Sequence, residues 1–485
     1  MQTQQSPTQT ETRPGNDDTQ ASVARVAELI DRARAAQQRY ADYDQQGVDE
    51  VVTAVAWTLL EPKTNQRLSE QAVADTGLGN VKDKIIKNHR KTLGLLRDLK
   101  RAKSVGVIAE YPEKGLIEIA RPVGVVAAVA PSTNPVATPY NKTLNALKGR
   151  NAIIIAPSPK GQQVCEEVVK LMRGALKQVG APEDLVQKLP GPVNKIDTHE
   201  LMRQADLVVV TGSQNNVRAA ATSGTPAIGV GAGNVPSMVD ETADLAEAAK
   251  KIIASKSFDN ATSCSSENSL IIVDEVYADM LEALGKEGAV LLDSESREKL
   301  RATMWVDGKL SPAVTAKSAG EILARAGLET GVEASIIMVE EDAPDRASKF
   351  SDEKLSPVLT VYRARDFEHA CKVAEAVLEV NGKGHSVSLH SQDEQRMLQL
   401  GLELPVCRVI VNQAHCFATG GSFDNGLPFS LSMGCGTWGG NIISDNMNYR
   451  HYLNTTRIAT PIAPDQPELE EIFGEYWAKY GISPE

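Results

Sequence analysis

A chain of 485 residues is too long for one compact domain and suits about three units of roughly 150 residues. With 42% hydrophobic and 24% charged residues it reads as an ordinary globular protein with a sizeable core, which excludes a disordered chain, a collagen-like chain and a disulfide-stapled miniprotein. Lys and Arg total 51 against 63 Asp and Glu, a formal charge of −12, and aromatics are only 4%; nucleic-acid binding, which needs a basic stripe or stacking platforms, is not expected.

Residues 1–20 are polar, with Pro7 and Pro14, and read as a disordered tail. They lack the basic and apolar blocks of a secretory signal. No apolar run in the chain approaches the ~20 residues that span a bilayer. A cytoplasmic protein without membrane contact is therefore expected. Over 21–105 apolar residues recur at helical spacing, as in Val23, Val26, Leu29 and Ile30, then Val51, Val55, Leu59 and Leu60. The alternating stretches SVGVIAEYP and GLIEIARP, parted by Glu113 and Lys114, predict a β-hairpin over 106–120. An exposed hairpin is an arm that can pair with a neighbouring copy, so a homodimer or homotetramer is expected.

Between 121 and 239 the texture becomes strand, small-residue turn, helix, repeated. VGVVAAVA runs into Pro131-Ser132-Thr133-Asn134-Pro135, AIIIA into Pro157-Ser158-Pro159-Lys160-Gly161, DLVVV into Thr211-Gly212-Ser213, and PAIGV into Gly231-Ala232-Gly233-Asn234. Strands that are apolar on both faces predict a doubly wound parallel sheet, which binds ligands at the carboxyl ends of its strands. A second α/β unit is expected over 240–430, with strands at LIIV, SIIMV, PVLTVY, SVSLH and RVIVN. Residues 431–485, rich in Gly and Asn at their start, read as an irregular segment that serves oligomerisation. The single G-x-G-x-x-G match, Gly434 to Gly439, neither follows a strand nor opens a helix, and reads as a glycine-rich turn instead of a dinucleotide loop.

The six cysteines show no C-x-x-C pair, and the seven histidines form no cluster at ligand spacing, so thiols are expected and no metal site. No G-x-S-x-G elbow supports a serine hydrolase. Cys165 and Cys371 sit on apolar helix faces, and Cys407 opens a strand. Cys264 differs, lying in the polar loop Asn260-Ala261-Thr262-Ser263-Cys264-Ser265-Ser266 just before a buried strand. Backbone N–H groups in such a loop can stabilise a thiolate and an oxyanion. Cys264 is the candidate nucleophile, with Cys416 and Cys435 as alternatives.

SKSFDNATSCSSENS, EKLSPVL and GCGTWGGNIISDN, in this order, resemble the nucleophile loop, the second cofactor motif and the C-terminal signature of the CoA-acylating branch of the aldehyde dehydrogenase superfamily. The likeness spans about residues 21–460. It implies an α/β fold with a doubly wound cofactor domain, a second α/β catalytic domain and an oligomerisation arm. It implies an aldehyde and CoA as small-molecule partners, with sulfoacetaldehyde as the aldehyde. Cys264 would attack the carbonyl, and Asn134 would supply the oxyanion hole. Glu353 would hold the nicotinamide ribose, while Thr133, Ser158, Lys160, Gly212 and Ser213 would cradle the rest of the cofactor. The hydrolytic branch carries a water-activating glutamate where this chain has Gly229-Val230-Gly231-Ala232, and losing a positioned base slows water attack by ~10²–10⁴-fold. NADP is the expected cofactor, with NAD possible, because the turn after AIIIA offers Ser158 and Lys160 and no acid; the alternative reading of Lys160 is a solvated lysine. In Gln413-Ala414-His415-Cys416-Phe417-Ala418-Thr419, His415 is the one potentially cationic side chain, either a ligand for the sulfonate or a solvent-facing loop residue. An acyl-phosphate reductase without CoA and a non-catalytic nucleotide-binding scaffold are the alternatives.

Overall fold

The computed structural model describes residues 16–329 and 331–483. Residues 1–15 of the expected tail lie outside these, and 16–20 are already helical, the first helix running Asn16–Tyr40. Three more helices follow at Gln45–Leu60, Pro62–Thr76 and Val81–Lys100. Their boundaries are set by local chemistry. Asp44 accepts the Gly47 N–H, Pro62 opens the third helix, and Asn80 accepts the Asp83 N–H. Val26, Val51, Val55 and Leu59 lie fully buried in one core with the sheet beside them, whereas Val23 is largely exposed.

That sheet has five parallel strands in the spatial order Val186–Lys188, Ala152–Ala156, Val125–Val129, Leu207–Thr211, Ala227–Val230. Its two central strands, VVAAV and AIIIA, are buried at every position, as strands covered by helices on both faces must be. The strand order reverses between Val125–Val129 and Leu207–Thr211, which opens a crevice at their carboxyl ends.

A second, seven-stranded parallel sheet has the order Ala289–Leu291, Ile336–Glu340, Val358–Ala364, Glu267–Val273, Val235–Val239, Val387–His390, Val409–Val411. The five strands expected in the second unit are all present. The boundary expected after residue 239 moves forward, because Val235–Val239 pairs with Glu267–Val273 and belongs to this sheet. An apolar run carries no mark of which sheet it joins; partner strands decide that. Ala289–Leu291, only three residues long, had no pattern to reveal it.

The hairpin forms as Gly106–Tyr111 and Leu116–Pro122, slightly longer than expected. A third strand, Leu453–Ala459, joins it antiparallel from the end of the chain, and a helix, Leu469–Tyr480, follows. The terminal segment is thus irregular only in its first part. Gly434–Gly439 lies there and ends in a short 3-10 turn at Thr437–Gly439. Among the described residues no helix is long and apolar enough to cross a membrane.

Candidate active site

The loop bearing Cys264 starts where helix Leu245–Ser257 ends, turns through Phe258–Ala261 and feeds strand Glu267–Val273. Three successive non-glycine residues, Asp259, Asn260 and Ala261, adopt left-handed φ values of 50°, 53° and 57°. Each costs roughly 1–2 kcal/mol, so the turn persists only because its surroundings hold it. The holding group is the buried Asp259 carboxylate. Its Oδ2 accepts from Lys87 Nζ at 2.5 Å, Lys84 Nζ at 3.1 Å and Thr262 Oγ1 at 2.8 Å, and its Oδ1 accepts from the Asn80 N–H at 2.9 Å. Burial works against its charge, but Lys87 and Lys84 outweigh that and hold the carboxyl below its usual range. Burial lowers Lys84 to about 8 despite the carboxylate. Gly79 completes the fit, since a Cβ there would lie 1.9 Å from Asp259 Oδ1.

The same lysine reaches the other half of the site. Lys87 Nζ donates to Asn134 Oδ1 at 2.9 Å and to Thr262 Oγ1 at 3.0 Å, while Lys84 Nζ donates to the Thr133 carbonyl at 3.2 Å. An ammonium group only donates, so the oxygen of the Asn134 amide must face it. Its NH₂ is thereby turned away, and it makes no protein hydrogen bond among the described residues. Both the loop after strand Val125–Val129 and the loop before strand Glu267–Val273 are thus pinned to one helix. The Cys264 N–H likewise has no protein acceptor among the described residues. These two donors are what an oxyanion hole requires.

Cys264 is partly exposed, whereas Cys416 and Cys435 are buried. Burial pushes the Cys264 thiol up to about 12, with Glu353 and Cys435 adding to the shift and Arg408 opposing it. The resting nucleophile is a protonated thiol. Glu353 is pushed up to about 8 by burial, against the Gly233 N–H that donates to its Oε1 at 3.4 Å. Gly233 passes so close to the nucleophile that a Cβ would lie 2.0 Å from the Cys264 carbonyl oxygen. Only glycine fits between them. The segment 229–232, just upstream, offers no carboxylate to activate water.

His415 is neither a solvent-facing residue nor a cationic ligand. Its side chain is fully buried, and burial lowers its pKa to about 4, so the ring is neutral near pH 7. Nδ1 lies 2.7 Å from the Ser265 carbonyl, an acceptor, so Nδ1 carries the proton. His415 braces the nucleophile loop from behind, one residue past Cys264. The short helix His415–Ala418 folds the ring inward, which no local pattern announces. His415→Ala should therefore lower kcat for anionic and neutral aldehydes by the same factor. Selective loss of one aldehyde class in steady-state assays would contradict this role.

Cations do line the pocket, from an element that sequence reasoning did not single out. A cavity of about 470 Å³, counting its part open to solvent, is walled by Asn134, by Ser263 and Ser265 on either side of Cys264, and by Lys87, Arg90 and Lys91. Lys84, Lys87 and Lys91 follow at i, i+3 and i+7 on the fourth helix. A cationic stripe on a helix face that should be apolar was the available signal.

A second cleft, of about 1060 Å³ counting its part open to solvent, lies at the carboxyl ends of the strands of the five-stranded sheet. Ser158, Gly212 and Ser213 line it, with Pro131, Ser132, Asn194, Lys195 and His199. Thr133 and Lys160 do not. The Thr133 carbonyl is engaged by Lys84 on the Cys264 side, and Lys160 stands exposed past the rim. The N-terminus of helix Gln214–Ala221, capped by Ser213, opens at this cleft. Unpaired N–H groups there, together with a wall free of carboxylates, suit the phosphates of a dinucleotide.

The aldehyde dehydrogenase family model matches residues 5–426. The chain belongs to the aldehyde dehydrogenase family. This family member is 58% identical over 464 residues to a sulfoacetaldehyde dehydrogenase (acylating) of Cupriavidus necator, covering 95% of this chain and 94% of that one. It superposes on an acetylating aldehyde dehydrogenase of Geobacillus thermoglucosidasius with a TM-score of 0.89 at 35% identity, over 94% of this chain and 100% of the other. A propionaldehyde dehydrogenase of Rhodopseudomonas palustris, solved with bound CoA and an acylated cysteine, gives 0.81 at 25% identity over 90% and 97% of the two chains. The α/β aldehyde dehydrogenase architecture expected from sequence is the observed one.

Proposed function

We propose that this aldehyde dehydrogenase is a cytoplasmic homo-oligomer that converts sulfoacetaldehyde, CoA and NAD(P)+ into sulfoacetyl-CoA and NAD(P)H through a thioester on Cys264. The observation that carries this reading is the Lys87 bridge, which sets the Asn134 amide and the Cys264 loop against one pocket. The thiol releases its proton to solvent as sulfur attacks the carbonyl carbon, and the new alkoxide is received by the Asn134 NH₂ and the Cys264 N–H. The cleft at the carboxyl ends of the five-stranded sheet would hold a nicotinamide dinucleotide, which would supply the two-electron oxidant for converting the thiohemiacetal into a thioester. Ser158 and Ser213 would hold its adenosine and phosphate portions, and Glu353 its nicotinamide ribose. The thioester then meets no side chain at 229–232 able to deprotonate water, so it persists until the thiol of CoA displaces Cys264. The acylating relatives and the CoA-bound neighbour support the acceptor. The arm, with two unpaired outer strand edges, supports assembly with further copies.

Purified protein should form NAD(P)H from sulfoacetaldehyde only when CoA is present. Equal rates with phosphate in place of CoA would mark an acyl-phosphate reductase, and no rate under any condition would mark a scaffold. The cofactor wall carries Ser158, Lys195 and His199 and no Asp or Glu, so a 2′-phosphate meets no repulsion. NADP should accordingly serve with kcat/KM within about tenfold of NAD or above it, since a repelling carboxylate is what normally separates them. A strong preference for NAD would contradict the assignment.

A further inference from the structure

Resting on the reading of sulfoacetaldehyde as substrate, we propose that Arg90 is the residue that selects the anionic tail, holding the sulfonate in the cavity beside the Cys264 loop. Lys87, Arg90 and Lys91 line this cavity and no Asp or Glu does. The three cations are not equivalent. Lys87 is committed to Asp259, Asn134 and Thr262. Lys91 donates to the carbonyls of Gly420 and Gly421 at 2.8 and 3.1 Å and has no carboxylate partner among the described residues. Arg90 makes a single hydrogen bond, to Ser422 Oγ at 3.3 Å, and also pairs with no carboxylate among the described residues.

A guanidinium has five N–H donors in a rigid plane, so most of Arg90's are unspent. Its plane is nonetheless held in place. The Phe417 and Phe423 rings lie 5.4 and 5.6 Å from its central carbon, close enough for cation–π attraction. Phe417 in turn packs at 4.5 Å against Phe258, the residue that opens the turn leading to Cys264. The cation is therefore registered to the nucleophile by a continuous aromatic contact, with its donors left for a ligand. Arg90, a permanent cation with no carboxylate partner among the described residues in a half-closed cavity, favours an anion, and Lys91, which burial lowers to about 7, can gain its proton beside one. A sulfonate brings one negative charge at every relevant pH and three acceptor oxygens. A neutral aldehyde tail would leave the Arg90 charge unbalanced.

The test compares wild type, Arg90→Met and Arg90→Lys with sulfoacetaldehyde and with propionaldehyde, and measures competitive inhibition by isethionate, which carries the sulfonate but no carbonyl. Thermal melting checks that each variant folds. Losing charge-assisted hydrogen bonds of ~1.5–3 kcal/mol corresponds to ~10–150-fold. The ratio of kcat/KM for sulfoacetaldehyde to that for propionaldehyde should fall by this factor in Arg90→Met, through KM more than kcat. Isethionate inhibition should weaken in parallel. Arg90→Lys, which keeps charge but loses the fork, should fall between. Equal losses for both aldehydes, or undiminished isethionate inhibition, would overturn the assignment of Arg90 while leaving the substrate standing. No wild-type turnover of sulfoacetaldehyde would overturn both.

Discussion

Cys264→Ala should remove CoA-dependent aldehyde oxidation altogether while leaving dinucleotide binding and the melting temperature close to wild type. The thiol makes no structural hydrogen bond among the described residues, and it stands partly exposed at the end of a turn held by other groups. Neither alternative cysteine can take over, because Cys416 and Cys435 are buried whereas Cys264 is partly exposed. Burial raises the Cys264 thiol to about 12, so below that value the thiolate fraction of the free enzyme rises about tenfold for each unit that the pH is raised. Alkylation by iodoacetamide, followed by mass spectrometry of the Cys264 peptide, should be slow at pH 7 and rise close to tenfold per unit up to pH 9. Fast, pH-independent labelling would mean that the resting nucleophile is already a thiolate. Measurable turnover by Cys264→Ala would dispose of the thioester mechanism itself.

Asp259 should be nearly as consequential, although it touches neither substrate nor cofactor. Asp259→Ala leaves the Lys84 and Lys87 ammonium groups buried without their carboxylate, a loss of ~3–5 kcal/mol for a broken buried pair. It also releases three residues from the left-handed region and frees Lys87 from its fixed position between Asn134 and Thr262. The melting temperature should drop, and kcat should fall by ~10² or more, the scale of losing an oxyanion-hole donor. Asp259→Asn separates charge from shape, because it keeps the side-chain volume and an acceptor oxygen but not the charge. Wild-type kcat in Asp259→Asn would show that the ion pair does not set the loop. The pH dependence has a definite sign. The folded-state pKa of Asp259 is depressed, so its stabilisation is present above the unfolded value near ~3.9 and is lost as pH falls through the lower folded value.

Much of this protein was legible along the chain because its signals are local. Apolar runs such as AIIIA and LVVV can be buried on both faces only in covered parallel strands, and small-residue turns after them mark where ligands bind. Cys264 stood out because its loop is polar and short-sided while Cys165 and Cys371 sit on apolar helix faces. The family likeness aligned Asn134 with it. What the chain could not show depends on partners far away in sequence. Lys87 and Asp259 are 172 residues apart, and only their meeting turns a strained tripeptide into a firm seat for the nucleophile. Leu453–Ala459 becomes an arm strand only by pairing with Leu116–Pro122. His415 looked like a cation in a loop, yet burial against Ser265 makes it neutral, because desolvation costs the charged ring more than its hydrogen bonds return. The positive charge of the pocket comes instead from Arg90, on a helix whose Lys91 holds glycines more than 300 residues further along the chain. Side-chain type is written in the sequence; whether a charge is spent, screened or left for a ligand is settled by what the fold brings against it.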